Sequence, residues 1–119
     1  MYLRVGAYRE ENTNTLIGPI NSGDVLQKGV HLLFEAIQQN GALFPASLYT
    51  VHWQVTNTDH DAWTRDELRG EITQSKTHLP SRKWERTAYR GIHWVEAFVV
   101  RKRDKACVAQ TGRFFVVIE

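Results

Sequence analysis

The sequence predicts an all-β protein, an immunoglobulin-like antiparallel β-sandwich of about seven to eight strands. Three observations carry that expectation. Apolar and polar side chains alternate with a two-residue period along most of the chain. Turn-forming clusters such as Asn21-Ser22-Gly23-Asp24, Gln39-Asn40-Gly41 and His78-Leu79-Pro80-Ser81 punctuate the alternation at short intervals. Finally, Val51-His52-Trp53-Gln54-Val55 sets Val51, Trp53 and Val55 on one face, as the strand that buries the central tryptophan of such a sandwich would.

The strands expected in order are Leu3–Tyr8, Thr15–Ile20, Val30–Ile37, Leu48–Thr56, Leu68–Thr73, Lys83–Tyr89, Ile92–Arg101 and Ala106–Ile118. Val30–Gln39 is the ambiguous stretch, because Leu32, Leu33, Ala36 and Ile37 also fit a helical stripe. Its flanking glycines, Gly29 and Gly41, and its aromatic and β-branched content favour a strand. Tyr89-Arg90-Gly91-Ile92-His93-Trp94-Val95 has the spacing of the corner that leads into the penultimate strand of the fold. Gly91 would allow the backbone its close approach there. His93 would take the place of the corner tyrosine, two residues before the core position Val95. Structural roles are therefore expected for Trp53, Tyr89, Gly91, His93 and Val95. Lys102-Arg103-Asp104-Lys105 reads as a charged hairpin tip, and Thr111-Gly112-Arg113 as a break or bulge in the last strand.

The chain has 119 residues, 42% of them apolar and 24% charged, which is enough for one domain with a core of its own. We expect residues 1–119 to form a single domain. Cys107 is the sole cysteine, so no intrachain disulfide can form, and a reducing, cytoplasmic setting is expected. No apolar run reaches the roughly 18 residues needed to span a bilayer, so no membrane partner is expected. The net charge of +2 conceals an asymmetry: from Ser81 to Arg113 there are nine Lys/Arg against three acids. Such a segment either presents an anion-binding side or simply alternates charge on exposed strands.

Catalysis finds no support in the residues. The five histidines and Cys107 lack metal-ligand spacing, and there is no nucleophile elbow, phosphate-cradling glycine loop or paired-carboxylate motif. No metal and no cofactor are expected. Binding is better served. The four tryptophans exceed the needs of one small core, and Trp63, Trp84 and Trp94 are candidates for exposure. Trp84 stands among Arg82, Lys83 and Arg86, a combination of indole and guanidinium groups suited to flat, anionic ligands. Trp84 and Trp94 could equally stack on neighbouring strands. Nucleic acid is the weaker partner class, since sandwich strands supply no groove reader.

Several of these segments, taken in order, resemble a known family. They are Leu3-Arg4-Val5, Trp53-Gln54-Val55-Thr56-Asn57-Thr58, Leu68-Arg69-Gly70, Trp84 through Phe98, and Gly112-Arg113-Phe114-Phe115-Val116-Val117-Ile118. Together they are similar to the adenylyl/guanylyl cyclase and SMODS C-terminal sensor domain, AGS-C. Asp59 stands where the family tends to have glycine. The resemblance implies a module joined to, or associated with, a nucleotide cyclase or nucleotidyltransferase in bacterial antiphage signalling of the CBASS or Pycsar type. There it would sense an infection-linked, nucleotide-like or phage-derived ligand. A protein-interaction module that docks the enzyme or a phage protein is the alternative. Arg69, carried by the Leu-Arg-Gly motif, would clamp a phosphate or carboxylate, or else pair with Glu85 or Glu96. The ligand-binding set expected from the sequence is thus Arg69, Trp84, Arg86, Trp94 and Trp63. Arg69, Arg86 and Trp94 are expected to act on one planar anion.

Overall fold

A computed structural model describes residues 1–9, 16–57, 72–74, 81–88 and 90–119. Among them the chain forms β1 (Tyr2–Tyr8), β2 (Leu16–Ile20), β3 (Val25–Leu26), β4 (His31–Ile37), β5 (Tyr49–Asn57), β6 (Ile72–Gln74), β7 (Arg82–Arg86), β8 (Gly91–Arg101), β9 (Cys107–Gln110) and β10 (Phe114–Ile118). No helix long and apolar enough to cross a membrane occurs among these residues.

The strands make two sheets. One runs β2-β1-β4-β7; the other runs β3-β10-β8-β5-β6, with β9 also paired to β8. The tryptophan strand β5 thus lies beside the penultimate long strand β8, as the immunoglobulin-like prediction requires. The ambiguity over residues 30–39 is resolved in favour of a strand. In β4, Leu32, Phe34 and Ala36 point inward and are buried, a two-residue period that a helix could not maintain.

Three expectations need correction in detail. Val25–Leu26 was not anticipated as a strand; it is two residues long and pairs in parallel with Val117–Ile118, covering that edge of the sheet. The strand expected over Ala106–Ile118 is two pieces sharing β8: β9 opposite Phe98–Val100 and β10 opposite Gly91–Val95. Gly112, at φ 71°, turns the chain between them, while Thr111 holds the junction by hydrogen-bonding Ala97 through both its amide and its hydroxyl. The strand expected over Lys83–Tyr89 ends at Arg86. Thr87 leaves the ladder and closes on Val30 and Gln27 instead.

The core forms where the inward faces meet. Trp53, Val51, Ala97 and Val99 have no exposure, and Phe34 meets Phe114 edge-on across the sandwich at 5.8 Å. Along β8, His93, Val95, Ala97 and Val99 are buried while Trp94, Glu96 and Phe98 face outward. Gly91 opens this strand at φ 112°, a conformation that favours glycine, and His93 is 5% exposed. Tyr89, Arg69 and Trp63 lie outside the described residues.

Candidate functional site

The structure sorts the remaining candidates onto two opposite surfaces. On β7, Trp84 and Arg86 lie opposite Leu33 and His31 of β4, which belong to the outward face of the four-stranded sheet. Trp84 is half-buried there and meets the ring of Tyr8 edge-on at 5.1 Å. Arg4 and Arg82 on the same face share the buried carboxylate of Glu35, at 3.2 and 2.9 Å. Two of the nearby guanidinium groups are therefore already neutralised in part.

Trp94 stands on the outward face of the other sheet, beside Phe115, with the Arg113 guanidinium 4.6 Å over its ring. Arg86 and Trp94 project from opposite outer faces of the sandwich, so they cannot meet one small ligand together. Their joint role expected from the sequence is corrected on this point. Alternation along β8 turns Trp94 outward; it could not say which sheet each strand would join. Both tryptophans also find protein partners, as the packing alternative supposes.

A concave site that sequence reasoning missed lies at one end of the sandwich. It forms where two connections converge. The first leaves β4 at Ile37, turns through residues 38–41, bridges back by Leu43 to Ile37, and enters β5 after Pro45, whose carbonyl accepts from the amides of Leu48 and Tyr49. The second is the β8–β9 hairpin, closed by the Arg101 amide donating to the Ala106 carbonyl at 2.9 Å. Tyr49 and Arg101 are cross-strand partners, and the Lys102 amide donates to the Leu48 carbonyl, so the two connections are tied side by side. Between them lies a cleft of about 550 Å³ lined by Ser47, Leu48, Tyr49, Arg101, Lys102 and Arg103. That volume falls within the range of small-molecule sites, and a few convergent polar groups among apolar ones are their usual lining.

The cations of the cleft are not equivalent. Arg101 is engaged by Asp104: its Nε donates to Oδ1 at 3.0 Å and its Nη2 to Oδ2 at 2.6 Å. Oδ1 also accepts from the Ala106 amide at 3.2 Å. These donors, the guanidinium first, hold the Asp104 carboxyl down at about 2, and Asp104 in turn raises the Arg101 pKa. Lys102 and Arg103 are exposed. Tyr49 is fixed by an edge-on contact with Phe44 at 5.5 Å. Three cations and a phenol around one concavity can bind an anion and orient an attached ring. Nothing among these lining groups pairs a nucleophile with a base, and among the described residues no cluster of His, Cys, Asp and Glu could hold a metal.

The sequence signs of this site are the basic excess from Ser81 to Arg113 and, within it, the run Lys102-Arg103-Asp104-Lys105, a charged hairpin tip. Its convergence with residues 47–49 depends on the β5–β8 pairing and is invisible locally.

The family described as Adenylyl/Guanylyl and SMODS C-terminal sensor domain matches the chain over residues 2–119. No curated protein and no solved structure matches it.

Proposed function

We propose that this chain, which belongs to the Adenylyl/Guanylyl and SMODS C-terminal sensor domain family, senses a small anionic ligand in the cleft between Tyr49 and the Arg101–Arg103 turn. The family is one of sensing, regulatory domains whose catalytic partner, a cyclase or SMODS domain, is a separate unit. The finer reading is that the ligand is nucleotide-like or phage-derived and that binding it sets second-messenger output in bacterial antiphage defence. Residues 1–119 would act as one domain, linked to the enzyme or associated with it. The observation that carries the reading is the meeting of three cations and a tyrosine around one concavity of about 550 Å³. Its position supports a regulatory role. β1 starts at Tyr2 opposite Ile37, at the same end of the sandwich as the cleft, so an enzyme domain ahead of β1 would enter beside it. Sensing requires only that the ligand bind one state of the enzyme better than another, so the domain need change little.

The test is a nuclear magnetic resonance titration of the labelled chain with nucleotides and phage-lysate fractions. Shifts at the amides of Tyr49, Arg101 and Lys102 are expected; saturable binding that leaves these amides unmoved would overturn the reading.

A second reading, docking of the enzyme or a phage protein, is favoured by one observation. Val25, Ile92 and Phe115 are exposed at 56, 52 and 38% on the six-stranded sheet, and Phe115 lies beside Trp94. Apolar side chains clustered on a sheet face are a common mark of protein interfaces.

A further inference from the structure

We propose that the cleft selects ligands bearing a terminal, dianionic phosphate over phosphodiesters, because Asp104 occupies Arg101 and must be displaced. The inference rests on the ligand-sensing reading of this cleft and names the chemistry that the ligand must carry.

Arg101 is the cation fixed to the walls of the cleft. Its backbone pairs with Tyr49 across the ladder, whereas Lys102 and Arg103 sit on the exposed turn. Both edges of its guanidinium fork used here, Nε and Nη2, are spent on the two oxygens of Asp104. A phosphate that is to be held by the same fork competes with a carboxylate three residues away, which is present at high effective concentration. A phosphodiester carries one negative charge, as Asp104 does, and gains little by the exchange. A terminal phosphate carries close to two charges at neutral pH and offers three acceptor oxygens, so it can take the fork and also reach Lys102 or Arg103.

The exchange is feasible because the Arg101–Asp104 pair is open to water, with side chains 36 and 43% exposed. Exposed pairs of this kind contribute little to folding, so breaking one leaves the hairpin intact. The hairpin is closed by backbone bonds that the exchange does not touch: Arg101 amide to Ala106 carbonyl and Lys105 amide to Arg101 carbonyl, both at 2.9 Å. When the carboxylate lets go, it remains beside the site. The Asp104 carboxyl lies below its ordinary value because the Arg101 fork, and then the Ala106 amide, donate to it.

The experiment titrates the full chain with three probes at neutral pH: inorganic tripolyphosphate, a nucleoside 5′-triphosphate and a 3′,5′-cyclic nucleotide. The Arg101 Nε–Hε signal and the Asp104 carboxyl signal are followed. The triphosphate is expected to bind at least about tenfold more tightly than the cyclic nucleotide and to move both signals. Asp104→Asn should tighten triphosphate binding several-fold and narrow the gap to the cyclic nucleotide, with melting within about 2 °C of the parent. Lys102→Ala with Arg103→Ala should weaken all phosphate probes. Equal affinity for the cyclic and linear probes, or triphosphate binding in the cleft that Asp104→Asn leaves unchanged, would overturn the selectivity while sparing the ligand site. Absence of any shift at Tyr49, Arg101 and Lys102 with every probe would overturn both.

Discussion

The hydroxyl of Thr87 accepts a hydrogen bond from the Val30 amide at 2.8 Å, and the Thr87 amide returns one to the Val30 carbonyl at 2.9 Å. The same hydroxyl donates to the Gln27 carbonyl at 2.8 Å, and Thr87 is 1% exposed. One side chain thus satisfies backbone groups of the segment that enters β4 just where β7 ends. Thr87→Val keeps the shape but leaves the Val30 amide and the Gln27 carbonyl without this partner. A loss of about 1–3 kcal/mol is expected in denaturant unfolding, with Thr87→Ser restoring most of it. Parent-like stability of the valine variant would show that water serves these groups as well.

Trp53 sits opposite Ala97 in the β5–β8 ladder, and neither has any exposure. The small partner leaves room for the indole in the middle of the sandwich. Trp53→Ala should cost about 3–5 kcal/mol, read from chemical melts. A variant that unfolds at the parent's denaturant concentration would contradict the packing described.

Much of this frame was legible because alternation in a strand fixes which side chains turn inward. Val51, Trp53 and Val55, and then His93, Val95, Ala97 and Val99, follow directly from their two-residue period and are buried. What alternation leaves open is the partner of each strand. Trp84–Arg86 and Trp94 belong to different sheets for reasons set by long-range pairing: β7 joins β4, fifty residues away in the chain, and β8 joins β5 (about fifty and forty residues of loop closure being cheap relative to what the ladders return). The cleft was hidden for the same reason. Leu48 and Lys102 touch only after β5 and β8 have zipped in register. The parallel pair formed by β3 gives no periodic signal, because two residues cannot express a period.

Gly6 lies under the Tyr8 ring. A Cβ built there would stand 3.1 Å from Tyr8 Cε2 and 3.0 Å from Leu16 Cδ1, both at the free ends of side chains. Gly6→Ala should therefore shift Tyr8 off its edge-on contact with Trp84 at modest cost, under about 1.5 kcal/mol. A changed Trp84 indole resonance with a near-normal melt is the expected result; an unmoved indole signal would place the Tyr8 ring elsewhere.

Lys105 adopts a φ of 62° at the hairpin tip, the one non-glycine residue with positive φ among those described. That region crowds a Cβ against the backbone by roughly 1–2 kcal/mol, partly offset by the freedom glycine regains when unfolded. Lys105→Gly should raise stability by up to about 1 kcal/mol. Lys105→Val should lower it, since a β-branched side chain is the least tolerated there. Equal melting temperatures for the two variants would argue that the turn relaxes freely.

The pH dependence of the cleft follows from Asp104. Its carboxyl, held down at about 2 by the Arg101 guanidinium and then by the Ala106 amide, stays ionised in the folded chain where an unfolded aspartate at the ordinary 3.8 would be mostly protonated. A depressed folded value means that the small support this exposed contact gives the fold is present above the unfolded pKa and is lost as pH falls through the folded one. The window is therefore from about 4 down to about 2. A carboxyl carbon titration should place the Asp104 midpoint near 2, and Arg101→Gln should return it towards the ordinary aspartate value. The Arg101 Nε–Hε signal should change over the same interval. A midpoint near 4 in the parent would mean that Asp104 does not hold the fork in solution, and Arg101 would then be available to any anion entering the cleft.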